Sequence, residues 1–233
     1  MKQTSRRLLA IGTLLVFFGS PPTQAALVSY NFAGAITTAS DPLASFGIVT
    51  GDPFTGSFTY DTSLGIVSSG PGNVLYEQPA PIAPLTFSVT VNGVQYAAAN
   101  SSAPLRIQVT DNSGGLNDQF VVHTVYTGSL VHPLSGSYPF SNMALSLRDS
   151  SATIFSSTAI PSSLDLNDFD LVGFSLNLSQ NLGDPASETL FLGTITSLTA
   201  VPEPGSLMLM LTAISLIRLS RRRWLSTPGR LSA

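Results

Sequence analysis

The chain has 233 residues, of which 43 % are hydrophobic and only 10 % charged, and it contains no cysteine. These values exclude disulfides and thiolate metal sites, and they leave material for about one ordinary hydrophobic core once the two ends are set aside. The formal net charge of −3 hides a segregation, because Lys2, Arg6 and Arg7 lie at the start and Arg218, Arg221, Arg222, Arg223 and Arg230 at the end, leaving only Arg106 and Arg148 against twelve acids in residues 26–200. An acidic, lysine-free centre repels phosphate backbones and anionic lipid, so nucleic acid is not an expected partner and divalent or basic partners fit better.

Residues 1–25 read as a secretory signal, with a basic start, an apolar run from Leu8 to Phe18 and a tail containing Pro21 and Pro22. The apolar run is well short of the ~20 residues that span a bilayer, and the small residues Thr23 and Ala25 suit a signal peptidase. Cleavage before Ala26 is therefore expected.

From Leu27 onward short β-branched and aromatic runs alternate with Gly, Pro, Ser, Asn and Asp. Val28, Tyr30 and Phe32 alternate with polar or small residues, as in a half-buried strand. Asp41-Pro42 and Gly51-Asp52-Pro53 break the chain. The next run sets Phe54, Phe58 and Tyr60 on one face, and Gly56 leaves that face bare, which marks a bulge or a close neighbouring backbone. Ser68 to Pro84 is expected to be mostly loop, with a small strand around Leu75. Asn92-Gly93 between Leu85–Val91 and Val94–Tyr96 predicts a type I′ hairpin, with Leu85, Phe87, Val89 and Val91 facing the core.

Leu105–Val109 and Phe120–Tyr126 alternate cleanly and flank a hairpin loop from Asp111 to Asp118. Met143–Asp149, Phe169–Leu178 and Thr189–Ala200 complete about ten expected strands. Residues 26–200 are thus expected to form an all-β domain, an antiparallel β-sandwich with a jelly roll as one form of it.

Pro202 and Pro204 cannot continue a ladder and separate this domain from the tail. Gly205 to Leu219 is almost wholly apolar, and as a helix it would rise about 22 Å against the ~30 Å hydrocarbon core. Snorkelling of Arg218 makes a short transmembrane span feasible. The cluster Arg221-Arg222-Arg223 then places the C-terminus in the cytoplasm, with Trp224 at the interface and the β-domain outside the inner membrane.

Pro202-Glu203-Pro204, the apolar run and Arg221-Arg222-Arg223, in that order, resemble the PEP-CTERM sorting domain of exported proteins of Gram-negative bacteria. The likeness covers residues 201–225; the tail 226–233 makes the C-terminus longer than usual for that pattern. The resemblance implies recognition by an exosortase, which acts at or near the motif, and delivery to the cell envelope or exterior. It also implies an association with exopolysaccharide and biofilm. Gly56-Ser57-Phe58-Thr59-Tyr60-Asp61 and Leu164–Phe169 are similar to segments of a group of such cargo proteins, with no activity attached.

Catalytic chemistry has little support in the residues. His123 lies mid-strand and His132 precedes Pro133, and no nucleophile elbow accompanies them. Twelve acids make a carboxylate pair unavoidable by chance, and only Glu77 and Glu188 among them are glutamates. Asp165, Asn167, Asp168 and Asp170 could offer oxygen ligands to Ca²⁺, but EF-hand spacing is missing and an Asx-capped turn explains them better. Tyr30, Tyr76, Tyr126 and Tyr138 lie near loops or strand ends, where a ring could stack on a sugar. The expectation is a non-enzymatic, exosortase-sorted envelope or matrix protein with no cofactor. The alternative is a carbohydrate-binding module, calcium-dependent in one form.

Overall fold

A computed structural model describes residues 27–44, 47–78, 86–98, 105–112, 117–124, 130–131, 140–179 and 188–202. The expected signal segment, Glu203, Pro204, the apolar tail and Arg221–Arg223 lie outside the described residues, as do His132, Tyr126 and Tyr138. Among the described residues no helix is long and apolar enough to cross a membrane.

Among the described residues twelve strands follow one another: β1 (Leu27–Ala39), β2 (Pro53–Asp61), β3 (Gly65–Gly70), β4 (Asn73–Gln78), β5 (Thr86–Val91), β6 (Val94–Ala98), β7 (Leu105–Thr110), β8 (Asp118–Thr124), β9 (Leu130–Val131), β10 (Phe140–Asp149), β11 (Leu171–Ser179) and β12 (Glu188–Val201). A one-turn helix α1 (Asp41–Ala44) follows β1, and a 3-10 turn at Leu166–Asp168 precedes β11. Every strand pair is antiparallel.

The all-β, antiparallel class is as expected, but the layering differs from a sandwich of two sheets. The strands form one continuous sheet in the order β3-β4-β7-β8-β10-β11-β12-β1-β2-β5-β6-β9. The reason lies in β12: the last strand pairs with β11 on one side and with β1 on the other, so it zips the two halves of the chain into a single ladder.

That sheet curls. Phe174 on β11 and Phe87 on β5 are four strands apart, about 19 Å along a flat sheet at ~4.8 Å per strand, yet their ring centroids are 6.1 Å apart. Tyr60 on β2 and Phe120 on β8 are five strands apart with centroids at 5.6 Å. Opposite parts of one sheet therefore face each other across a shared aromatic core, as the two layers of a sandwich would, and β9 comes near β10. Phe32, Phe54, Phe58, Phe87, Phe174 and Phe191 fill this concave side, and each fully buried ring contributes about 2–3 kcal/mol of transfer free energy.

Glycines let these rings in. Phe32 stands opposite Gly56, and Phe54 stands opposite Gly34, in the same β1–β2 ladder. A Cβ on Gly56 would lie 2.2 Å from Phe32 Cζ and 2.4 Å from the Ser88 carbonyl oxygen, so the ring occupies the space a side chain would take. Gly193 on β12 is likewise covered by the Phe54 ring. The bare position at Gly56 is thus a close approach, as its place in an aromatic face implied.

The Asn92-Gly93 hairpin forms as expected, with φ of 49° and 78°, and Phe87, Val89 and Val91 are buried behind it. Leu85 lies outside the described residues. The small strand expected around Leu75 is β4, but the loop expected before it is a hairpin: β3 and β4 meet through Pro71-Gly72, where Gly72 takes φ of 67°. Gly and Pro there serve one tight turn, and β3 is an exposed strand at the edge of the sheet.

Residues 150–170 form a strap between β10 and β11. Ile154, Phe155, Ile160 and Leu164 on it pack against the core, and Phe155 meets Phe169 with centroids 6.2 Å apart.

Candidate functional site

Three tyrosines hold the strap. Tyr60 donates its hydroxyl to the Pro161 carbonyl at 2.8 Å, and Tyr76 donates to the Thr158 carbonyl at 2.8 Å. The Tyr30 hydroxyl accepts the Leu164 N–H at 2.5 Å. The rings are buried, and burial raises the pKa of all three phenols above the usual 10, with the neighbouring Tyr30 adding to the rise at Tyr60. Tyr30 and Tyr76, which their places near loops or strand ends left as candidates, are therefore not available to stack on a sugar, because their polar ends tie down the strap and their rings fill the core.

The acids serve the same loops. Asp118 is fully buried and its carboxylate accepts the N–H groups of Asn112 and Phe155 at 2.9 and 2.7 Å, joining the end of β7 to the strap. Asp149 gathers Ser151 and Thr153: the Ser151 hydroxyl first and the Thr153 N–H next hold its pKa down to about 2. Asp170 accepts the Ser150 N–H at 3.1 Å and its hydroxyl. Asp165 accepts from the N–H and the side-chain amide of Asn167, both at 2.9 Å, and caps the 3-10 turn. The Asx-capped turn is thus present, and among the described residues no group of three acids or histidines is disposed to hold a metal ion.

His123 stands between Arg106 on β7 and Ala144 on β10, without a serine–carboxylate pair beside it. Burial lowers its pKa, against a hydrogen bond with the Thr124 backbone that raises it, and the charge of Arg106 adds to the lowering. Glu77 is spent on Arg106 at 2.6 Å. Of the two glutamates, Glu77 lies on β4 near one edge of the sheet, and Glu188 opens β12.

The outward face of β12, β1, β2, β5 and β6 differs from all of this. Two rows of neighbours run across five strands. One is Thr199–Asn31–Ser57–Ser88–Ala97 and the other is Ser197–Ala33–Thr55–Thr90–Gln95. They flank a groove of about 510 Å³, whose described lining is neutral throughout and is mostly hydroxyl- or amide-bearing. Ser57 and Ser88 share a hydrogen bond at 3.3 Å. Asn31, Thr55, Gln95 and Thr199 are exposed, and their side chains make no hydrogen bond among the described residues.

Sequence reading missed this groove because attention went to the aromatic half of each alternating run. The signal was the other half of the runs around Asn31, Ser57, Ser88 and Ser197, where Ser, Thr, Asn and Gln recur and no charge falls among the groove residues. Only the pairing of β12 with β1, from opposite ends of the domain, assembles them.

Of the residues that the sequence resemblance assigns to sorting, Pro202 is described. β12 ends at Val201, and Pro202 follows as an exposed residue outside the ladder. Glu203, Pro204, Arg221, Arg222 and Arg223 lie outside the described residues. No family model, no curated protein and no solved structure matches this chain.

Proposed function

We propose that the protein is exported by a signal at residues 1–25 and sorted through residues 201–225. In this reading signal peptidase removes the leader, and the apolar run holds a precursor in the inner membrane with the β-domain outside. An exosortase then acts at Pro202-Glu203-Pro204, and the domain passes to the envelope or the extracellular matrix as a non-enzymatic component associated with exopolysaccharide. The carrying observation is the abrupt change at the motif: strand pairing ends at Val201, an apolar run begins within a few residues, and Arg221-Arg222-Arg223 follows. Acids collect before that boundary and basic residues after it, which agrees with an outside domain and a cytoplasmic tail.

The test is substitution of Pro202, Glu203 and Pro204 together by alanine in a cell that carries an exosortase. The expected result is a precursor retained in the inner-membrane fraction with its tail intact. Normal processing and release of this variant would overturn the reading.

The calcium-dependent form of the carbohydrate alternative gains no support at Asp165, whose carboxylate is engaged by Asn167. The neutral groove supports a calcium-independent form.

A further inference from the structure

We infer that the groove across β12, β1, β2, β5 and β6 binds an uncharged polysaccharide chain lying across the strands, through hydrogen bonds from hydroxyl and amide side chains. The lining selects the ligand class. A ligand with phosphate, sulfate or carboxylate groups would need a cation or a cluster of N–H donors to replace its hydration, and no described residue of the groove is charged. A purely apolar ligand would leave the amides of Asn31 and Gln95 and the hydroxyls of Thr55, Thr90 and Thr199 without water or partner. A polyhydroxylated neutral chain meets both conditions, because each of its hydroxyls both donates and accepts, as do those of the protein.

The geometry suits a chain more than a single sugar. The two rows run perpendicular to the strands over five strands, about 19 Å at ~4.8 Å per strand, and residues of the two rows are two positions apart along each strand, about 7 Å. Polar groups thus line both sides of a shallow trough. The strands beneath are fixed by the aromatic core, with Phe32 packed onto Gly56 directly behind the groove, so the groups are held in place before a ligand arrives. With no aromatic ring among the exposed lining residues, affinity per sugar is low, and repeated engagement along a polymer supplies the rest.

This inference rests on the exported reading only for where the ligand is met; the binding itself needs no processing. The full-length protein, solubilised in detergent, is run in native gels cast with hydroxyethylcellulose or galactomannan as uncharged probes, or with alginate as an anionic one. Retardation by at least one uncharged probe and not by alginate is expected, and it should persist from low salt to ~1 M, where charge-driven binding is screened. The double variant Asn31→Ala, Gln95→Ala is expected to weaken retardation about tenfold, the worth of one or two lost hydrogen bonds. The same loss is expected from Thr199→Arg, an independent change at an exposed position. Circular dichroism and melting should match the wild type in both. Asp168→Ala, exposed and outside the groove, and the alanine variant at Pro202, Glu203 and Pro204 should bind as wild type. Failure of both uncharged probes, retardation by alginate alone, loss at high salt, or unchanged binding in the groove variants would each overturn the assignment while leaving the sorting reading standing.

Discussion

Three phenol groups, on Tyr30, Tyr60 and Tyr76, do what a disulfide could do in a chain that has no cysteine: they fasten a 21-residue strap to the neighbouring strands β1 and β2 and to β4, far from them in the sheet order. Tyr60→Phe removes a donor and leaves the Pro161 carbonyl without it. A loss of about 1 kcal/mol is expected, read as a lower urea midpoint at unchanged slope. Alkali should act on the same groups. Their folded pKa values are raised, and burial pushes Tyr96 up to about 12, whereas an unfolded tyrosine titrates near 10. The unfolded state therefore releases its protons first. The stabilisation is complete below pH 10 and is lost as pH climbs through the folded values. Denaturation midpoints should be flat from about pH 8 to about 9.5 and fall steeply above about 10.5, and a flat profile to pH 12 would contradict the burial of these phenols.

Between neighbouring strands the decisive pair is Phe32 against Gly56. Gly56→Ala would place a methyl group against a ring and against the Ser88 backbone oxygen, neither of which can withdraw cheaply. The expected cost is about 3 kcal/mol. Gly65→Ala is the control, since nothing lies within 4 Å of a Cβ there, and its effect should stay within about 0.5 kcal/mol. Equal melting temperatures for the two variants would refute the close approach.

Such local features were largely legible from the residues. Alternation in Leu105–Val109 and Met143–Asp149 marks strands that form, and Asn92-Gly93 marks a hairpin that forms. Asp165 is where an Asx cap belongs. What the residues concealed is non-local. Tyr30 and Tyr76 read equally well as exposed rings until the strap is known to cross them, and Asn31 and Thr199 become neighbours only through a pairing between the two ends of the domain. The single curled sheet was hidden for the same reason, because periodicity tells which face a residue takes and not which strand lies beside it.

For the molecule as a whole, the charge map and the sheet order coincide. Strands β1, β5 and β6 carry no charged residue, and the acids of the described chain lie in loops, at strand ends or toward the β4–β8 side. This gives a neutral flank and an acidic flank on one body. Binding at the neutral flank would leave the acidic one free to keep neighbouring copies apart in a crowded matrix.

β12 sits near the middle of the sheet, yet among the described strands it is the last in chain order. It meets β1 through residues 152 to 172 positions apart in sequence, so the ladder stays open on both of its inner sides until residues 188–201 are present. A chain ending before Glu188 should lack a cooperative unfolding transition and be digested by trace protease, whereas retention of native resistance would show that the two halves stand alone. If the chain is exported through a membrane channel, as proposed above, this arrangement has a kinetic meaning. The central closure, slow because it is non-local, would be deferred until the strand adjoining Pro202 has emerged, so the chain would remain threadable during transit and lock only as residues 201–225 reach the membrane.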